Sequence, residues 1–142
     1  MTFIHHDGGR QAAGFVGKAG DCAVRACAIA LDRPYREVYD AINALAKHER
    51  HDTRKASNAR TGVWPATVTA YLAQYGWRWT PTMQVGQGCR VHLRREELPP
   101  GRLVVRLSRH FAAVIDGVVY DTHNPVRDGT RCVYGYWQKE ER

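Results

Sequence analysis

An apolar helix constrains the fold of this chain more than any other feature. Residues 21–31 read Asp-Cys-Ala-Val-Arg-Ala-Cys-Ala-Ile-Ala-Leu, so almost every position after Asp21 is small or apolar. A helix that is apolar on all sides is stable only inside a domain. Asp21 precedes it as a favourable N-cap residue, and Asp32-Arg33-Pro34 ends it. The pattern predicts a buried helix over 22–31 whose one charge, Arg25, needs a carboxylate or access to solvent.

Two further helices precede a series of strands. Apolar residues at helical spacing predict helices that begin at Pro34 and at Pro65, the second ending at Gly76. Helices followed by antiparallel strands predict a single α+β domain over residues 1–142, with residues 1–20 as an arm or loop. The candidate strands lie at 77–80, 90–93, 102–107, 110–115, 118–122 and 132–137.

The dipeptide Asp116-Gly117 is a strong hairpin signal and sets the register of two neighbouring strands. With these residues as the loop, His110 lies opposite His123, and Asp121 lies diagonal to His110 on the same face. A carboxylate behind an imidazole orients a catalytic base. Asn124 competes for this role as a possible third member, but it faces the other side unless a bulge shifts the register.

Cys22 stands at the start of the buried helix. A helix N-terminus or a nearby imidazolium lowers the pKa of a cysteine and so favours the reactive thiolate. The motifs Asp21-Cys22 before a helix and His110-Phe111 opening a strand resemble the papain-like cysteine peptidases, particularly the bacterial leader-trimming (bacteriocin-processing) branch. The resemblance covers residues 14–125. It implies a Cys22–His110–Asp121 triad on a papain-like fold, with N-terminal helices packed on a C-terminal antiparallel sheet.

The same resemblance implies an oxyanion-stabilising glutamine six residues before the cysteine, where this chain has Val16. Gln11 is the only glutamine upstream of Cys22, so Gln11 and the Cys22 backbone N–H are the candidate oxyanion donors. Lys18 is another possible donor. The implied reaction is hydrolysis of a peptide or amide bond in a peptide or protein substrate through an acyl-enzyme, without a cofactor or a metal.

The net charge of +7, carried by seventeen arginines and four lysines, leaves other functions open. One is a nucleic-acid-binding module with Trp64, Trp77 and Trp79 as stacking surfaces. Nucleic acid is the less favoured partner because the basic residues are dispersed and no binding motif is present. A catalytically inactive papain-like binding protein is another alternative. A zinc site is least favoured because the histidine spacing lacks a matching cysteine or carboxylate. The histidines considered for it are His5, His6, His48 and His51.

The cysteines and the chain start predict a reduced, cytoplasmic protein. No apolar run is long enough to cross a membrane. The N-terminus lacks the basic start and apolar stretch of a secretion signal. Four cysteines without Cys-x-x-Cys spacing are not expected to form a disulfide framework. Cys27, Cys89 and Cys132 are therefore predicted to be small buried apolar residues.

Overall fold

The structure, a computed structural model, describes residues 1–49 and 55–140, and within them has three α-helices and six strands. The helices are α1 (Cys22–Leu31), α2 (Tyr35–Ala46) and α3 (Pro65–Ala73). The strands are β1 (Thr2–His5), β2 (Trp77–Pro81), β3 (Arg102–Leu107), β4 (His110–Ile115), β5 (Val118–Asp121) and β6 (Gly135–Lys139). They form one mixed sheet in the order β1-β5-β4-β3-β6-β2. The predicted α+β class is confirmed.

Helix α1 is buried, and both of its ends are where the sequence predicts them. It lies between α2 and the sheet, where it packs on β4 and β3. Val24, Cys27 and Ala30 have no exposed surface. The helix ends at Leu31, and the next residue, Asp32, caps it in a left-handed conformation with φ 54°. Along α1 only the two end residues, Cys22 and Leu31, are partly exposed.

The β4–β5 hairpin has the predicted register. Val114 pairs with Val119, and the two loop residues Asp116 and Gly117 both have positive φ, 48° and 77°. Two consecutive positive φ values match a tight turn whose twist suits antiparallel strands. The first residue of β4 and the last residue of β5 therefore lie at the same end of the sheet.

Both faces of the sheet are packed. Phe111 and Trp137 belong to the core between the sheet and the helices. The opposite face is covered by loop residues that include Leu93, Val126 and Val133, each at most 5% exposed. By contrast, the strand ends near the start of α1 border an open cleft.

The N-terminal segment corrects the expectation of an arm or loop over residues 1–20. Thr2–His5 forms a strand that pairs in parallel with β5, with Phe3 opposite Val119. Phe15 packs against Tyr35, with ring centroids 4.9 Å apart. The partner strand of β1 lies more than a hundred residues along the chain, so no local alternation or turn signal marks the pairing.

Two of the expected C-terminal strands also differ. The segment 90–93 makes only an isolated bridge, between His92 and Cys132. The last strand runs from Gly135 to Lys139 rather than over 132–137, because Gly135 to Gln138 pair with β3 and the strand continues along β2.

The cysteine prediction is right for Cys27 and wrong for two others. Cys27 is fully buried and unpaired, whereas Cys89 and Cys132 form a disulfide with Cα atoms 5.8 Å apart. Sequence spacing does not reveal such a pair, because the two residues meet only when the segment after Cys89 folds back against Cys132. Disulfides are typical of oxidising compartments, so the cytoplasmic location stays a prediction. Among the described residues, no helix has the length and apolar character that crossing a membrane requires.

We predict that reduction destabilises the fold. The disulfide closes a loop with a sequence separation of 43, so its loss should lower the free energy of unfolding by up to about 4 kcal/mol. Urea unfolding with and without reductant measures this, and Cys89→Ser, which lacks the bond, should not respond to reductant. Thiol titration of the denatured protein should give two thiols unreduced and four reduced. Four thiols without reductant would contradict the pairing.

Candidate active site

A cleft of about 520 Å³ opens where the start of α1 meets the turn between β3 and β4. Cys22 lines it from the helix, Arg109 and His110 line it from the turn and β4, and the loop 61–65 forms the facing wall. Cys22 is half-buried, unlike the sealed Cys27 five residues later. The fold thus presents one of its two unpaired cysteines to a solvent-open cleft.

His110 and Asp121 are joined by a short hydrogen bond at the ends of β4 and β5. Nε2 of His110 lies 2.5 Å from Oδ2 of Asp121, and the side chains are 11% and 2% exposed. The other carboxylate oxygen accepts the backbone N–H of Thr122 at 2.7 Å and faces the Arg25 guanidinium at 3.5 Å. Burial acts to raise the pKa of Asp121, but these partners outweigh it and lower the pKa. Asp121 is therefore an ionised, oriented acceptor.

The His110 imidazole carries a proton at neutral pH. Burial acts to lower its pKa, but the hydrogen bonds that the ring makes to Asp121 and Cys22, and the charges of those groups, outweigh burial and raise the pKa of His110 to about 9. Nε2 is engaged by Asp121, so Nδ1 is the ring nitrogen that remains available to a group in the cleft such as Cys22. This arrangement can hold an imidazolium beside a thiolate, and it can move a proton between the ring and a group in the cleft.

Behind the cleft, Arg25 joins the site to the N-terminal segment. Its guanidinium hydrogen-bonds Oδ1 of Asp21 as well as facing Asp121. Oδ2 of Asp21 accepts the Tyr35 hydroxyl at 2.5 Å and lies 3.4 Å from Nε of Arg10. Asp21 occupies the predicted N-cap position, but its side chain makes no capping hydrogen bond. The reason is that Arg25, one turn later and 9% exposed, draws this carboxylate inward.

Three other candidates lie outside the cleft. Asn124 is exposed, and its Oδ1 accepts the N–H of Val126 instead of holding His110. Gln11 and Lys18 are exposed and do not line the cleft, so the structure brings neither to Cys22. The Cys22 N–H does lie at the cleft, and it has no acceptor within its helix because it belongs to the first turn.

His123 is a residue whose place in the site the sequence analysis did not use. Its ring centroid lies 5.1 Å from that of His110, in line with their opposed positions in the predicted register. Ligand atoms of His110, Asp121 and His123 lie within 4.8 Å of one another, which is a donor set that a metal ion accepts. His110 and Asp121 already satisfy each other, so a cation would have to displace their hydrogen bond.

The histidines considered from the sequence form no such cluster in the described part of the chain. His5, His6 and His48 are exposed, and His51 lies outside the described residues.

Comparisons with protein families, with curated proteins and with solved structures find no match to this chain. The papain-like resemblance therefore depends on three residues, Cys22, His110 and Asp121, and on the order of the elements that carry them.

We predict that Arg25→Met lowers the free energy of unfolding by about 3 kcal/mol or more, because it leaves buried carboxylates short of a cation. The matched control is Arg33→Met. Arg33 pairs with Glu37 at the same i,i+4 spacing, but both side chains are about two-fifths exposed, so the loss should stay below about 1 kcal/mol. Urea denaturation measures both variants. Equal losses would contradict a structural role for the Arg25 pairing.

Stability should also depend on His110 above neutral pH. Its folded pKa of about 9 lies above the ordinary 6.5, so its contribution is fully present below about pH 6.5 and disappears as the pH rises through 9. Urea unfolding between pH 6 and 10 should show this decline in the parent and a weaker one in His110→Gln. His48→Gln, at an exposed position, should behave as the parent. An equally steep decline in His110→Gln would show that His110 is not the source.

Proposed function

We propose that this protein is a papain-like thiol hydrolase that cleaves a peptide or amide bond in a peptide or protein substrate. The observation that carries the proposal is the buried hydrogen bond between Asp121 and His110, whose imidazole lines the same open cleft as Cys22. A nucleophile, its base and a group that orients the base are the three roles of such a triad. The papain-like arrangement of helices and sheet, and a cytoplasmic location, belong to the same proposal.

The geometry supports a two-step reaction. The Cys22 thiolate attacks the substrate carbonyl carbon, and a C–S bond forms while negative charge develops on oxygen. The Cys22 backbone N–H, at the positive end of α1, is placed to stabilise that charge. The C–N bond then breaks as the His110 imidazolium gives its proton to the leaving amine.

Water completes the cycle. Neutral His110 takes a proton from a water molecule whose oxygen attacks the thioester carbon, and the C–S bond breaks to release a carboxylic acid and the thiolate. The net change is one amide and one water converted to one acid and one amine. Asp121 keeps the ring oriented and supports its positive charge, so no metal or organic cofactor takes part.

The alternatives have less support. Trp77 and Trp79 pack inside the protein and leave little ring surface for stacking on nucleic acid. Trp77 is 8% exposed, and the ring centroids of Trp79 and Trp137 are 4.5 Å apart. Trp64 is 37% exposed, and its indole N–H donates to the Lys55 carbonyl. A papain-like binding protein without catalysis shares the fold, and a direct test of the thiol separates it from a hydrolase.

We predict that iodoacetamide labels Cys22 far faster than Cys27, because Cys22 lies in the cleft whereas burial raises the pKa of the Cys27 thiol and excludes the reagent. His110→Ala should slow Cys22 labelling at and below neutral pH, since the imidazolium that supports the thiolate is lost. Peptide mapping after limited labelling gives the site, and intact mass gives the rate. A Cys22 rate that is identical in the parent and in His110→Ala would show that the two residues do not interact.

Turnover is tested with p-nitrophenyl acetate. The parent should show a burst of nitrophenol, a transient acetyl adduct on Cys22 by mass spectrometry, and steady release afterwards. His110→Ala should lower the steady rate by about 10²–10⁴-fold, and Asp121→Asn should lower it less because it acts through the ring. Asn124→Ala is the matched control and should leave the rate unchanged. Labelling without an acyl adduct would favour the inactive binding protein.

A further inference from the structure

The cleft beside Cys22 is lined by two arginines that form no ion pair with any carboxylate in the described part of the chain. Arg106 and Arg109 both line it, and neither forms an ion pair within the described ranges 1–49 and 55–140. The third arginine in the lining, Arg25, differs because Asp21 and Asp121 already pair with it. The cleft therefore has excess positive charge that belongs to side chains outside the triad.

Both arginines are held on rigid parts of the fold. Arg106 is a half-buried residue of β3, with its guanidinium 5.9 Å from the centroid of the Tyr134 ring. Arg109 occupies the two-residue turn between β3 and β4, immediately before the proposed base, and has φ 55°. The neighbouring Ser108 carbonyl accepts a hydrogen bond from Arg131 at 2.9 Å, which fixes the turn. A cation on a fixed turn can recognise an anion with little loss of backbone entropy.

Among the described residues that line the cleft, Asp21 is the only one with a carboxylate. It is 1% exposed and is bonded to Arg25 and Tyr35, so it does not neutralise Arg106 or Arg109. Charges of one sign that line a cleft focus the electric field there and attract ligands of the opposite sign.

We propose that the cleft selects substrates that carry a carboxylate within reach of Arg106 and Arg109 when their scissile carbonyl is at Cys22. This inference rests on the proposed hydrolase function and specifies its substrate class. The carboxylate is supplied either by an acidic side chain or by the free C-terminus of a peptide. Either source offers the planar pair of oxygens that a guanidinium binds through two parallel hydrogen bonds.

Two reagents of nearly equal size test the charge preference. Iodoacetate and iodoacetamide alkylate the same thiol and differ in one negative charge, and glutathione corrects for their intrinsic reactivities. The measured quantity is the ratio of the iodoacetate to the iodoacetamide rate constant at Cys22. We expect the ratio to fall about twofold to fivefold in each of Arg106→Gln and Arg109→Gln, as for partly exposed charge pairs. It should recover in the Arg→Lys variants and fall in the parent as salt is added.

Controls separate this inference from the proposed function. Arg78→Gln removes an exposed arginine that does not line the cleft, and it should keep the parent ratio. Both reagents react with the same thiol, so any change that Arg109→Gln makes to the reactivity of Cys22 itself cancels from the ratio of the two rates. The His110 charge is present in every variant and cancels from the comparison. A parent ratio retained in the double Arg106→Gln, Arg109→Gln variant would overturn the substrate class alone, whereas failure of either reagent to prefer Cys22 would overturn the hydrolase as well.

Three chloroacetyl compounds distinguish the two sources of carboxylate. Chloroacetyl-glutamate amide has only a side-chain carboxylate, chloroacetyl-glutamine has only a terminal one, and chloroacetyl-glutamine amide has neither. If the first compound alkylates Cys22 faster than the uncharged third, and the difference disappears in Arg109→Gln, the carboxylate is that of an acidic side chain. The same result with the second compound assigns a free C-terminus. Equal rates for all three compounds would overturn the proposal.

Discussion

A positive charge buried in an apolar helix is the constraint on which the site depends. Arg25 is only 9% exposed, and an unpaired buried charge costs several kcal/mol. One of its carboxylates, Asp21, is a helical turn away and is available in any fold that keeps α1. The other, Asp121, is 96 residues distant and is available only when the β4–β5 hairpin docks at this end of the helix. Pairing Arg25 therefore favours the one docking that also brings His110 to Cys22.

The Asp121 carboxylate serves two cations at once. One oxygen faces His110, and the other faces Arg25 and the Thr122 N–H. Each of these contacts favours the ionised carboxylate over the protonated one, so Asp121 remains an anion and supports a proton on the ring. Arg10, Arg25 and the protonated His110 carry three positive charges against the two negative charges of Asp21 and Asp121, so one positive charge is left over beside the cleft. Such a surplus favours the binding of an anion in the cleft.

Local patterns were sufficient for the parts of the site that depend on neighbours in sequence. Periodicity and breakers predicted both ends of α1, and Asp116-Gly117 predicted the hairpin register that places His110 near Asp121. The sequence did not reveal features whose partners are distant: β1 pairs with a strand at the other end of the chain, and Cys89 meets Cys132 only in the folded state. The role of Asp21 was missed for a related reason. A cap is the default for an aspartate before a helix, and only the burial of Arg25 in the tertiary structure overrides it.

The two ends of α1 differ in whether a side chain already meets their unpaired backbone groups. At the C-terminal end, the Arg102 guanidinium donates to the carbonyls of Ile29 and Ala30 at 3.1 and 3.3 Å, so the negative end of the helix dipole meets a fixed cation. At the N-terminal end the usual cap is absent, because Asp21 turns inward to Arg25. The first N–H groups of the helix are thus left without a side-chain acceptor and border the cleft beside Cys22. The same displacement that satisfies the buried arginine therefore leaves the positive helix end available to stabilise an anion that forms during a reaction.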